Sequence, residues 1–200
     1  MTKCWRALWA TALFAVLLVA VYLIHVRFLT VNVVFYAAMA DGVIAAVLAG
    51  GLLLGLRCFR PLGGFEKLQL FVIWLLLGYA SAISVPTVVD RSLSFYLLEK
   101  LQQRGGGIRQ SAFEDVFTQE YMVEHRLVDV RLTEQLESGT IVIENGCVKL
   151  TPQGERVASA GRFFRQHFLP KRRLLMGEYS DDLTDPFRRG RVLEPDYRCQ

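Results

Sequence analysis

Three long apolar stretches within the first 85 residues constrain this chain more than any other feature. They run from about Leu8 to Val26 ("LWATALFAVLLVAVYLIHV"), from about Val33 to Leu56 and from about Leu68 to Val85. A helix needs roughly 20 apolar residues to cross the hydrocarbon core of a bilayer, and each stretch is close to that length. The first is read as a span and not as a cleaved signal, because its apolar run exceeds a signal core and no small-x-small site precedes Arg27. Cys4 lies before the run, which argues against a lipoprotein anchor.

The charges divide the chain at Pro86. Before it stand Lys3, Arg6, Arg27, Arg57, Arg60 and Lys67 against Asp41 and Glu66; from Pro86 onward 17 basic residues face 17 acidic ones. The net charge of +4 therefore belongs to the apolar half, where it flanks the spans, and is no mark of nucleic-acid binding. Lys3 and Arg6 precede the first span, Arg57, Arg60 and Lys67 fill the second loop, and the first loop holds only Arg27. The positive-inside rule then predicts a cytoplasmic N-terminus and, after three crossings, an extracytoplasmic C-terminal half.

The second span carries Ala38, Gly42, Ala46 and Gly50 at a spacing of four, a smooth helix face on which another helix can pack closely. An intramolecular contact with the first or third span is the plainer expectation, and docking of a partner membrane protein the sharper one. Asp41 lies in the same span, about a dozen ångströms from its outer end at 1.5 Å per residue. A carboxylate at that depth is a functional-site hypothesis by default. Its candidate partners are His25, Arg27, Tyr79, Ser81 and Ser84.

Beyond Pro86 the periodicity becomes that of a small mixed domain. Thr87 or Asp90 is the expected cap of a helix presenting Leu93, Leu97 and Leu101, ended by the glycines of Arg104 to Gly107. Ser111 is the expected cap of a helix to about Met122, with Phe113, Val116, Phe117 and Tyr121 on one side. A third helix is predicted from about Arg126 to Glu137, stopped at Gly139. Asn145-Gly146 between two β-rich runs predicts a hairpin. Thr151-Pro152 then opens a helix to about Phe168, expected to bury Val157, Ala160, Phe164 and Phe168.

The order helix, helix, helix, hairpin, helix over about Asp90 to Phe168 resembles the winged-helix fold. "EQLESGTI", "ENG" and "LTPQGERVA" are similar to the end of the recognition helix, the wing tip and the wing exit of winged-helix transcription regulators. The resemblance implies that Arg126, Asp129, Arg131, Thr133 and Glu134, with Glu144 and Asn145, would face a duplex. A phosphate-binding face should be basic. This one mixes Arg126 and Arg131 with Glu124, Asp129, Glu134 and Glu137, so a protein partner is expected and nucleic acid is not.

The sequence offers no nucleophile–base pair, no cofactor loop, no metal-ligand spacing and no identified small-molecule substrate: His25, His125 and His167 stand apart and no Cys-x-x-Cys occurs. Cys147 is expected as a packed thiol of the hairpin; its pairing with Cys199 stays open. In the tail, Arg165, Lys171, Arg172 and Arg173 among aromatic residues suit a lipid headgroup surface or a solvated helix end. Phe187 and Tyr197 suit a partner-wrapping arm without regular structure.

The expected architecture is mainly α: a membrane domain of three transmembrane helices (1–86), a small α+β winged-helix-like domain (87–169) and an extended basic and aromatic tail (170–200). The expected function is that of a non-enzymatic, multi-pass protein of the bacterial inner membrane, without cofactor, that binds protein. It would be an accessory or assembly subunit of a cell-envelope complex, for which polysaccharide or glycolipid machinery is one setting. Its partners would be the bilayer and either a membrane protein or a second copy, contacted through Arg126, Asp129, Arg131, Glu134, Phe187 and Tyr197. The alternative is a membrane-tethered DNA-binding regulator, and a small transporter subunit using Asp41 stands third.

Overall fold

The computed structural model describes residues 2–189 of the 200-residue chain. The protein is mainly helical with a small amount of sheet. It divides into two compact units, Met1–Val128 and Asp129–Gln200, and each is described by itself.

The first unit begins with α1 (Lys3–Phe28), α2 (Val34–Gly55) and α3 (Gly64–Ala82). All three are long and apolar enough to cross a membrane. Small residues let α2 sit between its neighbours: Ala45, Ala46 and Ala49 are buried against Phe14 of α1 and Trp74 of α3. Those two rings stack at 5.6 Å with nearly parallel planes, and the Trp74 indole N–H donates to Thr11 Oγ1 at 3.2 Å. At the opposite end from the α1–α2 loop, Lys3 pairs with Glu66 at 3.0 Å, and the Glu66 carboxylate also accepts the Gly63 N–H that opens α3.

The third span does not end before Pro86. Its helical path runs on to Arg91. Pro86 has no N–H to give the Ala82 carbonyl. The chain answers with a wider π turn over Ile83–Thr87, in which the Thr87 hydroxyl donates to Ala82 O at 2.7 Å. Thr87 and Asp90 are therefore inside this path, and Ser92 is the residue that caps α4 (Leu93–Gln103), accepting from Phe95 N.

Gly105 and Gly106, both left-handed, end α4. Ser111 lies within a short 3-10 turn, Gln110–Ala112, and does not cap the next helix. That helix, α5 (residues 113–124), contains a π segment at Val116–Tyr121. A five-residue separation puts two α-helical side chains about 140° apart, whereas a π turn brings them together. Val116 and Tyr121 are thus both buried with Tyr96 in a small second core that includes Ile108, Phe117 and Leu127.

Arg126 is in the left-handed turn (φ 45°), so α6 starts one residue later than expected, at Leu127–Glu137. In the second unit, β1 (Ile141–Glu144) pairs antiparallel with β2 (Cys147–Leu150), Ile141 facing Leu150 and Glu144 facing Cys147. Asn145 and Gly146 both have positive φ, the requirement of a two-residue hairpin turn. Helix α7 (Pro152–Phe168) is capped by Thr151 Oγ1, which accepts Gly154 N at 3.0 Å.

Two expectations for this unit are corrected. Helix α7 does not bury its apolar stripe: Val157, Ala160, Phe164 and Phe168 are exposed, and Gly154 is its buried residue. The described part of the tail is not wholly extended. A second hairpin joins β3 (Arg173–Leu175) to β4 (Glu178–Ser180) through Met176 and Gly177, both left-handed, and a 3-10 turn follows at Pro186–Arg189. The left-handed methionine hid this turn, since Met gives no turn signal.

Candidate functional site

The polar feature buried deepest in the apolar half is Asp41, 1% exposed on the inner face of α2. Of the partners considered from sequence, His25 near the end of α1 reaches it, with Nδ1 2.6 Å from Asp41 Oδ1. The second carboxylate oxygen, Oδ2, is buried and has no hydrogen-bond partner. Asp41 also lines a cavity of about 250 Å³ between the three spans, together with residues that include Tyr22, Ala38, Gly78, Ser81 and Pro86. The π turn at Pro86 contributes to this wall, a position in which such bulges are often functional.

The small-residue face positions Asp41. Ala38, Gly42 and Ala46 are buried, and Gly42 rests on the backbone of Gly78: a Cβ added to Gly42 would lie 3.2 Å from Gly78 Cα. Gly50 is half-buried, with a corresponding Cβ 3.3 Å from the Phe71 ring. The stripe thus meets α3 of the same chain.

A second polar cluster, which sequence reasoning missed, joins α4 to α5. Lys100, only 4% exposed, has Nζ 2.6 Å from both Glu120 Oε2 and Glu124 Oε1. The Tyr96 hydroxyl donates to Glu124 Oε2 at 2.8 Å, and Arg104 reaches Glu120 at 3.1 Å. Bonds from the two carboxylates hold the Lys100 ammonium well above the usual lysine range. Lys100 in turn holds both glutamates below theirs, and burial raises the Tyr96 phenol. His125 is packed on the rings of Tyr96 and Tyr121, 5.1 and 4.9 Å away. The available signal was the i, i+4 spacing of Tyr96 with Lys100 and of Glu120 with Glu124, four polar residues able to face one another.

The expected interaction residues are dispersed. Arg131 is tied to Glu134 at 2.8 Å, Asp129 lies on the same helix, and Arg126 occupies the preceding turn. Lys149 in the hairpin pairs with Glu144 at 3.1 Å. The guanidinium of Arg165 lies over the Phe187 ring at 6.0 Å, bringing together two residues expected in different roles. Arg172 donates to Tyr179 O, the Lys171 carbonyl accepts from Thr184 Oγ1, and Arg173 sits in β3 opposite Ser180. Tyr197 lies outside the described residues. Cys147 is half-buried and disulfide-bonded, where a packed thiol was expected; Cys199 lies outside the described residues.

Among the described residues no group of three His, Cys, Asp or Glu side chains is placed to hold a metal ion. Comparisons with protein-family models, with curated proteins and with solved structures found no match to this chain.

Proposed function

We propose that this chain is a non-enzymatic accessory or assembly subunit of a bacterial cell-envelope complex. It is anchored in the inner membrane by three spans and binds protein through an extracytoplasmic module of winged-helix type. The observation that carries the reading is the uncovered apolar surface of the second unit. Among its described residues only Thr140, Ile141 and Gly154 are buried, while Val157, Phe163, Phe164 and Phe168 of α7 and Val142, Ile143 and Val148 of the hairpin are exposed. Apolar surface of that extent marks a contact site. Aromatic side chains are the usual anchors of a protein interface.

Two facts support the outward orientation. The disulfide at Cys147 fits an oxidising compartment, while Cys4 and Cys58, next to the basic flanks, are free thiols. Those flanks obey the positive-inside rule for a cytoplasmic N-terminus. The element order from α4 to α7 supports the winged-helix reading. The paired states of Arg131 and Lys149 favour protein over phosphate as its ligand.

Reporter fusions after Gln103 and after Leu169 test the orientation; activity confined to the cytoplasm overturns it. A photocrosslinking residue at position 164, in intact cells, tests the surface. Adducts to a defined polypeptide that vanish with Phe163→Asp and Phe168→Asp support the reading. Adducts to lipid alone overturn it.

A further inference from the structure

We propose that the cavity beside Asp41 is a binding site for a hydroxyl-headed lipid that enters from the bilayer and donates its hydroxyl hydrogen to Asp41 Oδ2. The argument begins with the unmet oxygen. Asp41 is 1% exposed in a helix long and apolar enough to cross a membrane, and Oδ2 has no partner. A buried acceptor left in that condition is costly, and more so in hydrocarbon than in a soluble core. The 2.6 Å contact with His25 Nδ1 is made by Oδ1, which leaves Oδ2 as the oxygen that lacks a donor.

The cavity determines what kind of donor. At about 250 Å³ it is slightly smaller than the roughly 300–1,000 Å³ of ordinary ligand sites, so it holds a head and the first part of a chain. Its walls are almost wholly aliphatic, from Leu18 and Val19 to Val85 and Pro86, with Ser81 the uncharged polar exception besides Tyr22. Val19, Leu23 and Val85 line the cavity and are also exposed on the lipid-facing surface, so an alkyl chain can pass from the cavity into the bilayer. His25 Nδ1, 2.6 Å from Oδ1, already gives Asp41 an ionisable partner, and no other charged side chain lines the cavity, which favours a neutral head.

The test uses the full chain in phosphatidylcholine nanodiscs and a long-chain primary alcohol bearing a diazirine near its hydroxyl. Photolabelling is expected at Leu18, Tyr22 or Ser81, and unlabelled alcohol should compete about tenfold better than its methyl ether, the scale of one hydrogen bond to a charged group. Asp41→Leu should abolish the labelling. Because that variant can also disturb packing, the alcohol–ether comparison on the unaltered protein stands as the independent measurement. Equal competition by the ether, stronger competition by the matching amine, or labelling spread equally over the outward residues Val43 and Val47 overturns the proposal.

Discussion

Gly42 of α2 and Gly78 of α3 meet backbone to backbone: a Cβ on either would come within 3.2 Å of the other's Cα. Such contact is what hydrocarbon-embedded helices use in place of hydrophobic burial, since lipid tails are as apolar as the side chains. It also sets the helix separation at the level of Asp41, one residue away. Gly42→Leu is therefore expected to force the spans apart, costing about 1–3 kcal/mol or more, and Ala46→Leu, at a fully buried position, to act similarly. Val43→Leu, at a position 48% exposed, should be neutral. Thermal unfolding in detergent checks the order; equal tolerance of all three would remove the packing argument.

The Lys100 cluster predicts stability limits at both ends of the pH scale. Glu120 and Glu124 have depressed values when folded, so their contribution is present above the ordinary glutamate range and is lost as pH falls through the depressed values. Lys100 is raised, so its contribution is present below the ordinary lysine range and is lost as pH rises through the raised value. Tyr96, also raised, is lost in the same alkaline direction. Lys100→Met should lower the unfolding temperature at neutral pH by several degrees and flatten both limbs. Melting curves of wild type and variant from acid to alkaline pH give the comparison; parallel curves would show that the cluster does not couple α4 to α5.

The spans were legible because length and apolarity alone define them, and the hairpin because Asn145-Gly146 has one conformational use. The stop at Gly139 and the Thr151-Pro152 cap were equally local. What escaped the sequence was non-local or broke a period. Pro86 reads as a stop, but a threonine hydroxyl next to it rescues the freed carbonyl and the helix continues. Val116 and Tyr121 share a side as the pattern predicts, but nothing in that pattern marks the chain between them as π. Asp41 was visible as an anomaly, with His25 among several partners, but its bare Oδ2 and the cavity depend on three helices at once. Helix α7 has an amphipathic pattern that predicts burial, and among the described residues its apolar stripe is exposed.

The cysteines give an orientation measurement that needs no fusion. Cys147 is oxidised, and Cys4 and Cys58 are free. In spheroplasts, a membrane-impermeant maleimide should not label a Cys4→Ser, Cys58→Ser chain until a reductant is added, after which it should label fully. A chain retaining only Cys4 and Cys58 should stay unlabelled until the membrane is permeabilised. The reverse pattern would place the hairpin in the cytoplasm and return the DNA-binding alternative to the lead.

Two glycines of one helix should respond to alanine with opposite signs. Gly154, in the first turn of α7, is buried against the turn that leads from α6 into β1: its hypothetical Cβ would collide with the Thr140 carbonyl oxygen and lie 3.0 Å from Leu150 Cδ2. That carbonyl cannot easily withdraw, because it accepts the Thr151 N–H at 3.1 Å. Thr151 Oγ1 and Gln153 Nε2 also bond the Gly139 and Ser138 carbonyls. These bonds knit "ESGT" to "TPQG". Gly161, two turns on, has nothing within 4 Å of the same added atom. Gly161→Ala should therefore stabilise the helix by about 0.5–1 kcal/mol, the usual gain in a helix interior. Gly154→Ala should destabilise by about 1–3 kcal/mol through overpacking. Hydrogen exchange across residues 138–160 of the full chain reads both, with faster exchange expected for the first-turn variant and slower for the other. A Gly154→Ala protein as protected as wild type would show that the junction of α6, the hairpin and α7 is looser than this packing requires.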